Sequence, residues 1–427
     1  MRNLLKAQAS ELFAAVGVAS NTEIAEVPIV IGMVAGEPSG DILGAGLMAA
    51  LKEQLPTHSI QFVGVGGPLM QAEGLESLAD FEALSVNGFR DPIIRLPSLY
   101  RLYRQLIAYF VDRPIDVFVG IDFNVFNFML EGRLKREGIA TAHYVSPSVY
   151  AWRRGRTKTV ARCADALFCL FPFEPDMYRG LSVDARFVGH PLAEQICDDA
   201  GSDQARREAR VDLGLEVDQV TLALLPGSRG SEVDLMLKPM LEATRLLNQA
   251  LNGRGQRLQT VIPALSAARA EQIGRISRAY KDLDLKLRPC DARQPLIACD
   301  VALVKSGTST LETMLVRRPM VVTYRLGFWT YLIARALLTT RHIAVPNILA
   351  GRMLVPELVQ GAATPKAISD ALLQELHTSR GDSAYLQSFA DLHERLAAGS
   401  SGLGPSAGAA LGVKDLLKQF GRLSNRT

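Results

Sequence analysis

The sequence predicts an α/β protein in which two doubly wound domains face each other across a cleft. Its apolar runs are short and uninterrupted, as in Val27–Ala35 and Val117–Ile121, and helical patterns lie between them. Such runs are typical of parallel strands that are buried on both faces of a sheet. The 427 residues suffice for roughly two or three domains. A polar, charged stretch around Asp198–Gly214 separates two halves that both follow this pattern.

Each half contains several such strands. In the first half a helix is expected at Ile42–Leu55, and strands are expected at Val27–Ala35, Ser59–Val65, Val117–Ile121 and Thr141–Tyr144. In the second half strands are expected at Thr221–Leu225, Leu258–Ile262, Asp300–Val304 and Met320–Tyr324. Doubly wound sheets bind ligands beyond the carboxyl ends of their strands, so the loops that follow these strands are the candidate binding segments.

The domain boundaries follow from these patterns. We assign residues 28–200 to an N-terminal domain and residues 215–390 to a C-terminal domain. Residues 1–27 are predicted to be an amphipathic extension: their apolar run resembles a signal peptide, but an acidic residue abuts it and no clear cleavage site follows. Residues 391–427 are predicted to be a linker and helix, with a flexible stretch at Ala397–Gly412 before a short basic helix.

The composition narrows the classes of function. Charged residues make up 21% and apolar residues 48% of the chain, which is ordinary for a globular protein. The net charge of +3 does not argue for a nucleic-acid partner. The five cysteines are scattered without a C-x-x-C pair, so neither a zinc site nor a disulfide framework is expected. No run approaches the ~18 consecutive apolar residues of a membrane-spanning helix.

A first candidate anion site lies early in the second half. The segment Leu-Leu-Pro-Gly-Ser-Arg, which ends at Arg229, follows a strand and precedes a helix. Gly227 and Ser228 would let backbone amides approach an anion at the helix N-terminus, and Arg229 could bind a phosphate through two hydrogen bonds. The alternative is an ordinary strand-to-helix turn with a surface arginine, and this motif alone supports the two interpretations about equally.

A second segment repeats this arrangement two strands later. Ser306, Gly307 and Thr308 could hold a diphosphate through backbone amides and hydroxyls at a helix N-terminus. Glu312 would lie about one turn into that helix, where it could accept hydrogen bonds from ribose hydroxyls. The alternative is a capping box, since Ser309 and Glu312 have S-x-x-E spacing.

Polar residues also follow strands of the first half. Asp122 ends a buried strand, where a carboxylate could act as a general base on a sugar hydroxyl, although spacing alone favours a helix cap. Glu37 and Ser39 lie in a loop without the G-x-G-x-x-G pattern, so a polar cleft loop is favoured over a nicotinamide site. Ser146 and Arg153 lie in an aromatic, polar loop before a basic helix, which suits a phosphate-bearing ligand or is a solvated face.

Two further patterns are ambiguous. Ser98–Phe110 and Phe328–Leu338 combine apolar residues with arginines, so they either lie in a membrane interface or are amphipathic helices that face the core. Asp282 and Asp284 match a D-x-D metal-binding pattern, but this pattern is common by chance. We therefore assign no metal to it.

Together, these segments resemble the lipid-A-disaccharide synthase family. The matching strings run in family order from about Val27 to Gln360 and include VAGEPSGDILGAGLM, GVGGPLMQAEG, VFVGID, HYVSPSVYAWRRGR, FVGHPLA, LALLPGSRGSEV, VKSGTSTLE and VPNILAGRMLVPELVQ. The resemblance implies two Rossmann-like halves in the GT-B architecture. It also implies transfer from UDP-2,3-diacylglucosamine to 2,3-diacylglucosamine 1-phosphate (lipid X). The product would be a β-1,6-linked disaccharide 1-phosphate, with release of UDP.

The resemblance also implies roles for residues. Asp122 would act on the acceptor hydroxyl, and the segments 227–229 and 306–312 would face UDP, as would Asn347. The acceptor-side candidates are Glu37, Ser39, Ser146 and Arg153. The expected reaction uses no cofactor and no metal. The enzyme is expected to lie peripherally on the cytoplasmic face of the inner membrane, and the family resemblance suggests a homodimer.

Several positions depart from the family strings, among them Asn87 and Arg90–Pro92, which replace a more apolar stretch. Val125 stands where the family string GIDAPDFN has its second acid, and Leu69 replaces an arginine, so both changes concern acceptor handling. Lys305 replaces a commoner alanine and could add a phosphate contact. Two alternatives stay open: a catalytically silent UDP-sugar-binding protein, and a UDP-N-acetylglucosamine 2-epimerase-like enzyme on the same fold.

Overall fold

A computed structural model describes residues 28–84, 92–148, 155–327, 340–378 and 383–423. The N-terminal extension, Arg153 and the apolar stretch Phe328–Leu338 lie outside the described residues.

The first sheet has seven described strands, and every neighbouring pair is parallel. Its order is β3-β2-β1-β4-β5-β6-β7. The strands are β1 (Ile29–Ala35), β2 (Ile60–Val65), β3 (Leu75–Ser77), β4 (Val117–Ile121), β5 (Ala140–Tyr144), β6 (Ala166–Cys169) and β7 (Asp184–Phe187). The helices along this half are α1 (Pro38–Gln54), α2 (Pro68–Ala72), α3 (Pro92–Asp112), α4 (Asn124–Arg136), α5 (Arg156–Cys163) and α6 (Pro191–Gln195).

The second sheet has six described strands, again parallel throughout, in the order β10-β9-β8-β11-β12-β13. The strands are β8 (Val220–Leu225), β9 (Leu258–Pro263), β10 (Asp284–Arg288), β11 (Val301–Lys305), β12 (Met320–Tyr324) and β13 (Glu357–Val359). The helices are α7 (Asp203–Asp212), α8 (Gly230–Asn252), α9 (Ala267–Ser277), α10 (Arg293–Ala298), α11 (Thr308–Leu315), α12 (Val345–Ala350), α13 (Pro365–Thr378), α14 (Ser383–Ala398) and α15 (Pro405–Gln419). Short 3-10 turns lie at Phe81–Ala83, Pro175–Tyr178, Asp198–Gly201 and Gln360–Ala362.

The uninterrupted apolar strands are explained by burial on both faces. In β1, Ile31 and Met33 join the core under α1, whereas Val34 joins a separate core that includes residues of α3 and α4. All six residues of β8 are buried. Because successive side chains of a strand point to opposite faces, a strand between two helical layers needs apolar residues at every position. The predicted fold class, two doubly wound parallel-sheet domains, is therefore confirmed.

The C-terminal helix α15 returns to the first sheet. Ala409, Val413 and Leu417 are buried in the same core as α1 and β1. A Cβ added to Gly412 would lie 2.3 Å from Cε1 of Phe168, so glycine lets the helix approach this ring closely. The expectation of a flexible stretch up to residue 412 is therefore wrong from residue 405 onwards, since the small residues serve close helix packing there. The proposed domain boundaries stay predictions.

Candidate active site

The strand order of each sheet reverses at one point and thereby opens a crevice at the carboxyl edge. In the first sheet the reversal falls between β1 and β4, and in the second between β8 and β11. Such switch points are the usual ligand sites of doubly wound sheets because neighbouring loops diverge there to opposite faces. Glu37 and Asp122 follow the first pair of strands. The segments 227–229 and 306–308 follow the second pair.

Asp122 occupies a strained turn between β4 and α4. Its φ is +48° and that of Phe123 is +44°, in the left-handed region that non-glycine residues seldom adopt. The backbone N–H of Asp122 donates to the carbonyl of Tyr144 at 2.8 Å. The side-chain amide of the buried Asn127 donates to the carbonyl of Asp122 at 2.9 Å. These bonds hold the turn, which directs Asp122 toward the carboxyl edge.

Asp122 is not the cap of the helix that follows. The N-cap of α4 is Phe123, and no side chain caps this end through a hydrogen bond. The helix-cap interpretation of Asp122 is therefore wrong. Its carboxylate instead accepts a hydrogen bond from the side-chain amide of Asn124, with 3.3 Å between Oδ1 and Nδ2.

Glu37 links the first domain electrostatically to the second. Its side chain is exposed at the start of α1. Partial desolvation raises the pKa of Glu37, the charge of Asp122 raises it further, and the charge of Arg229 lowers it. The pKa of Glu37 thus depends on an acid of its own domain and on a cation of the other domain. Ser39 is also exposed, in the first turn of α1.

A glycine allows this close approach of the β1–α1 loop. A Cβ added to Gly36 would lie 2.6 Å from the ring of Phe123, so only glycine lets the loop pack on the residue after Asp122. The packing brings the loops of β1 and β4 together at the switch point.

A cavity of about 280 Å³ opens at the second switch point. Its lining comes from the loops after β8, β9 and β11 and includes Gly227, Ser228, Gly307 and Thr308. Gly227 has a φ of +117°, and a Cβ there would lie 2.5 Å from Oε2 of Glu232. Glycine is therefore required for both conformation and space, as the anion-site interpretation expects.

The charged residues of this cavity are mostly cationic. Its lining contains Arg229, Arg269 and Lys305, with Glu232 as the one acid among the described lining residues. The Nζ of Lys305 lies 3.0 Å from Oε1 of Glu232. Burial raises the pKa of Glu232, but the hydrogen bonds and charges of Lys305 and Arg229 together outweigh it, so the net shift is downward. Glu232 thus stays ionised and partly neutralised, and the cavity keeps a positive surplus that suits a diphosphate.

The sequence reasoning missed Arg269. This residue lies in the first turns of α9, which begins after the N-cap Ser266. A Cβ added to Gly230 would lie 2.5 Å from Nη1 of Arg269, so the guanidinium group reaches the start of α8. No glycine motif accompanies Arg269, and the turn after β9 does not resemble an anion site. Only the pairing of β8 with β9 brings Arg269 to the cavity.

The second anion segment lies as expected between β11 and α11. Gly307 is the N-cap of α11, so the alternative capping box of Ser309 and Glu312 is wrong. Thr308 is exposed in the cavity lining, whereas the hydroxyl of Ser306 donates to the carbonyl of Ile343 at 2.8 Å. Burial raises the pKa of Glu312, and the charge of Arg293 lowers it.

Asn347 is wholly engaged within the protein. Its Nδ2 donates to the carbonyl of Val355 at 2.8 Å and to Oε1 of Glu357 at 2.7 Å. Its Oδ1 accepts from the backbone N–H groups of Leu354 at 2.6 Å and Val355 at 2.8 Å. In this arrangement the buried amide organises the chain before β13. A direct contact of Asn347 with a ligand stays a prediction.

Ser146 is likewise held inside the first domain. Its buried hydroxyl donates to the carbonyl of Pro147 at 3.2 Å and lies 2.9 Å from the hydroxyl of Tyr178. Its acceptor-side role stays a prediction, as does that of Arg153 outside the described residues. The structure thus groups Glu37 with Asp122 and groups Gly227–Arg229 with Gly307–Thr308. The hydroxyl of Ser146 is engaged with Pro147 and Tyr178.

The D-x-D segment is occupied by salt bridges. The carboxylate of Asp282 accepts two hydrogen bonds from Arg245, at 2.7 and 2.9 Å, and Asp284 pairs with Lys286 at 2.9 Å. Within the described ranges, no group of three or more His, Cys, Asp or Glu residues could hold a metal ion.

The apolar face of α3 points into the first domain. Leu102, Leu106 and Phe110 are buried, and they pack in one core with Phe118. This supports the core-facing interpretation for the described part of Ser98–Phe110, although Tyr100 is 58% exposed. Among the helices described, none is long and apolar enough to cross a membrane.

A buried acid–histidine pair behind Asp122 was also missed. His143 on β5 and Glu131 on α4 are both fully buried, with 2.6 Å between Nδ1 and Oε1. The other ring nitrogen of His143 lies 3.3 Å from Oδ1 of Asn124. The available signal was weak: Asn124 and Glu131 are seven residues apart and so share one face of a helix.

The two doubly wound parallel-sheet domains, each with its own switch point, define the GT-B fold class. A putative UDP-N-acetylglucosamine 2-epimerase from Listeria monocytogenes shares this fold, with a TM-score of 0.57 and 13% identity over 93% of this chain and 98% of that one. MurG of Acinetobacter baumannii has a TM-score of 0.52 and 15% identity over 92% and 100% of the two chains. At these identities the likeness establishes the fold alone.

Sequence relatives define the family. The family model for lipid-A-disaccharide synthetase matches residues 31–401. The lipid-A-disaccharide synthase of Pseudomonas paraeruginosa is 46% identical over 342 residues, which cover 80% of this chain and 88% of that protein. The enzyme of Enterobacter sp. is 43% identical over 370 residues, or 86% and 94% of the two chains. The chain belongs to the lipid-A-disaccharide synthetase family, which confirms the resemblance seen in the sequence.

Proposed function

We propose that this protein is an inverting hexosyltransferase that joins UDP-2,3-diacylglucosamine to 2,3-diacylglucosamine 1-phosphate. The product is the β-1,6-linked disaccharide 1-phosphate, and UDP leaves. Family membership and the names of the relatives support this activity. The observation that carries it is the charge arrangement at the cleft. Asp122 and Arg229, from different domains, both act on Glu37, beside a cationic cavity fit for a diphosphate.

In this mechanism Asp122 is the general base. Its carboxylate takes the proton of the acceptor 6-hydroxyl while that oxygen attacks the anomeric carbon of the donor. The bond from the anomeric carbon to the diphosphate oxygen breaks, and its electron pair leaves with UDP. The attack comes from the face opposite the leaving group, so the configuration inverts.

The C-terminal domain would stabilise the departing UDP. Arg229 and the amides near Gly227 and Ser228 approach the diphosphate from the start of α8, and Ser306–Thr308 approach it from the start of α11. Glu312 would hold the ribose, and Asn347 would order the neighbouring loop. The cations of the cavity counter the charge that develops on the leaving group, so we assign no metal or cofactor to the step.

We assign the acceptor to the N-terminal switch point. Glu37, which precedes α1, and Ser39, in the first turn of α1, are exposed and would position the acceptor sugar. Arg153 and the segment of Ser146 would meet the acceptor phosphate. Closure of the two halves would exclude water and limit hydrolysis of the donor.

The substrates also bear on location. Both carry acyl chains, so we propose that the protein lies peripherally on the cytoplasmic face of the inner membrane. From the family resemblance we also propose that it is a homodimer. Our candidates for the membrane contact are the exposed face of Tyr100–Phe110, which carries Tyr100, and the segment Phe328–Leu338.

A transfer assay in detergent micelles tests the function. The two acylated substrates are supplied with and without EDTA, and UDP and disaccharide phosphate are measured. We expect both products in equal amounts whether or not EDTA is present. UDP binding without turnover would instead support the silent binder, and conversion of unacylated UDP-N-acetylglucosamine would support an epimerase.

A further inference from the structure

A continuous chain of side-chain contacts runs from the protein interior to the carboxylate of Asp122. Oε1 of Glu131 lies 2.6 Å from Nδ1 of His143. Nε2 of His143 lies 3.3 Å from Oδ1 of Asn124, and Nδ2 of Asn124 lies 3.3 Å from Oδ1 of Asp122. Glu131 and His143 are fully buried, whereas Asn124 and Asp122 are half-buried at the cleft edge.

The donors and acceptors of this chain can be assigned from its two ends. An ionised Asp122 only accepts hydrogen bonds, so Asn124 must present its NH2 group to Asp122 and its oxygen to His143. Nε2 of His143 must therefore carry a proton. This holds whether the imidazole is charged beside an ionised Glu131 or neutral beside a protonated one, because Nδ1 shares the remaining proton with Glu131 in both cases.

Packing keeps the buried pair in place. The ring of Phe128 lies 4.4 Å from that of His143 between centroids. A Cβ added to Gly120 would lie 2.1 Å from Oε1 of Glu131, so this strand position has room only for glycine. Burial raises the pKa of Glu131, while the charge and hydrogen bond of His143 lower it. A buried acid of this kind is costly unless it is paired, and the pair here points toward the cleft.

We propose that Asn124 is a positioning residue that ties the carboxylate of Asp122 to the buried His143–Glu131 pair. The amide of Asn124 holds one oxygen of Asp122, which directs the other oxygen toward the acceptor hydroxyl. Asn124 is well placed for this because it is the first residue of α4, directly after the two left-handed residues of the turn. This inference rests on the proposed function, in which Asp122 is the base.

A double-mutant cycle tests, through activity, whether Asn124 couples Asp122 to the buried pair. Asn124→Ala is expected to lower kcat about tenfold while KM and the affinity for UDP stay within about twofold. In an Asp122→Asn background the same change should alter the residual rate by less than about twofold. Arg136→Ala, at the exposed far end of α4, is the control and should leave all constants unchanged. An unchanged kcat, or an equal loss in both backgrounds, would overturn the proposal.

A second measurement needs no turnover. The chain has six histidines, and the Nε2–H of His143 can be assigned in a ¹⁵N-histidine spectrum by comparison with His143→Gln. We expect this resonance to move in both Asn124→Ala and Asp122→Asn, at an unchanged thermal midpoint. If this resonance moves in neither variant, Asn124 does not couple Asp122 to His143. If the resonance moves in both variants but the wild-type protein fails the transfer assay, the proposed function is refuted and the coupling through Asn124 stands.

Discussion

Lys305 and Glu232 form a salt bridge in the lining of the anion cavity, with 3.0 Å between Nζ and Oε1. The other carboxylate oxygen of Glu232 accepts a hydrogen bond from the backbone N–H of Arg229 at 3.3 Å. Glu232 thus occupies one backbone N–H donor at the N-terminus of α8. Lys305 offsets the negative charge of the Glu232 carboxylate beside the cavity. The Nζ of Lys305 also lies 5.0 Å from the ring centroid of Tyr324, which limits where the ammonium can move.

Removal of this ammonium should weaken diphosphate binding selectively. We expect Lys305→Met to raise the Kd for UDP about tenfold and to leave the Kd for uridine within about twofold, because only the diphosphate meets the unpaired Glu232 charge. Isothermal titration with both ligands measures the difference. Lys286→Met, which breaks the surface pair with Asp284, is the matched control. Equal losses for UDP and uridine would show that Lys305 shapes the whole cavity instead.

The general-base role of Asp122 makes a second prediction. Asp122→Asn keeps the shape of the side chain but removes its basicity, so turnover should fall by ~100-fold or more while UDP binding survives. Single-turnover kinetics and UDP titration separate the two effects. Asp176→Asn, which alters an exposed pair with Arg179, controls for the loss of a surface charge. A near-normal rate in Asp122→Asn would remove this residue from the mechanism.

The inner strands could be predicted because burial on both faces requires an uninterrupted run of apolar residues in the sequence. Val117–Ile121 and Met320–Tyr324 were predicted with the observed bounds. The strands β3, β6 and β13 were not predicted, since each has only three or four residues and so gives no usable period.

The site could be predicted only where a local sequence motif determines the backbone geometry. Gly227 and Gly307 belong to motifs at helix starts, so the anion cavity was expected in the right place. Arg269 and His143 reach the site through pairing of distant strands, which no local pattern records. The helix-cap interpretation of Asp122 failed for a related reason: the left-handed pair at 122–123 moves the cap to Phe123.

A third prediction concerns pH and the buried Glu174. Burial raises its pKa to about 8, although its carboxylate accepts hydrogen bonds from the backbone N–H groups of Leu170 and Phe171. The folded state therefore keeps a proton that the unfolded state loses near its ordinary pKa of 4.5. The stabilisation by this proton is complete below that value and is lost as the pH rises toward about 8.

Glu174→Gln removes this titration and keeps the shape of the side chain. The free energy of unfolding of the wild type should fall relative to the variant, by on the order of a few kcal/mol, as the pH rises through this window. Urea unfolding at about pH 5 and about pH 8.5 measures both proteins. A difference that does not change with pH would mean that Glu174 is ionised in the folded state.

The fourth prediction tests the docking of α15 on the first domain. Gly412→Ala would place a Cβ 2.3 Å from Cε1 of Phe168, which is buried, so the helix must shift or the ring must leave its position. We expect a loss of about 1–3 kcal/mol in the free energy of unfolding, as for other overpacked cores.

Gly274→Ala is the matched control, because Gly274 also lies inside a helix but a Cβ there meets nothing within 4 Å. The higher helix propensity of alanine should make Gly274→Ala as stable as the wild type or more stable. Since α15 packs in one core with residues of α1, β5 and β6, a loss of stability in Gly412→Ala with unchanged UDP affinity would locate the damage in the N-terminal domain. Equal stabilities of the two alanine variants would mean that α15 is not held against Phe168.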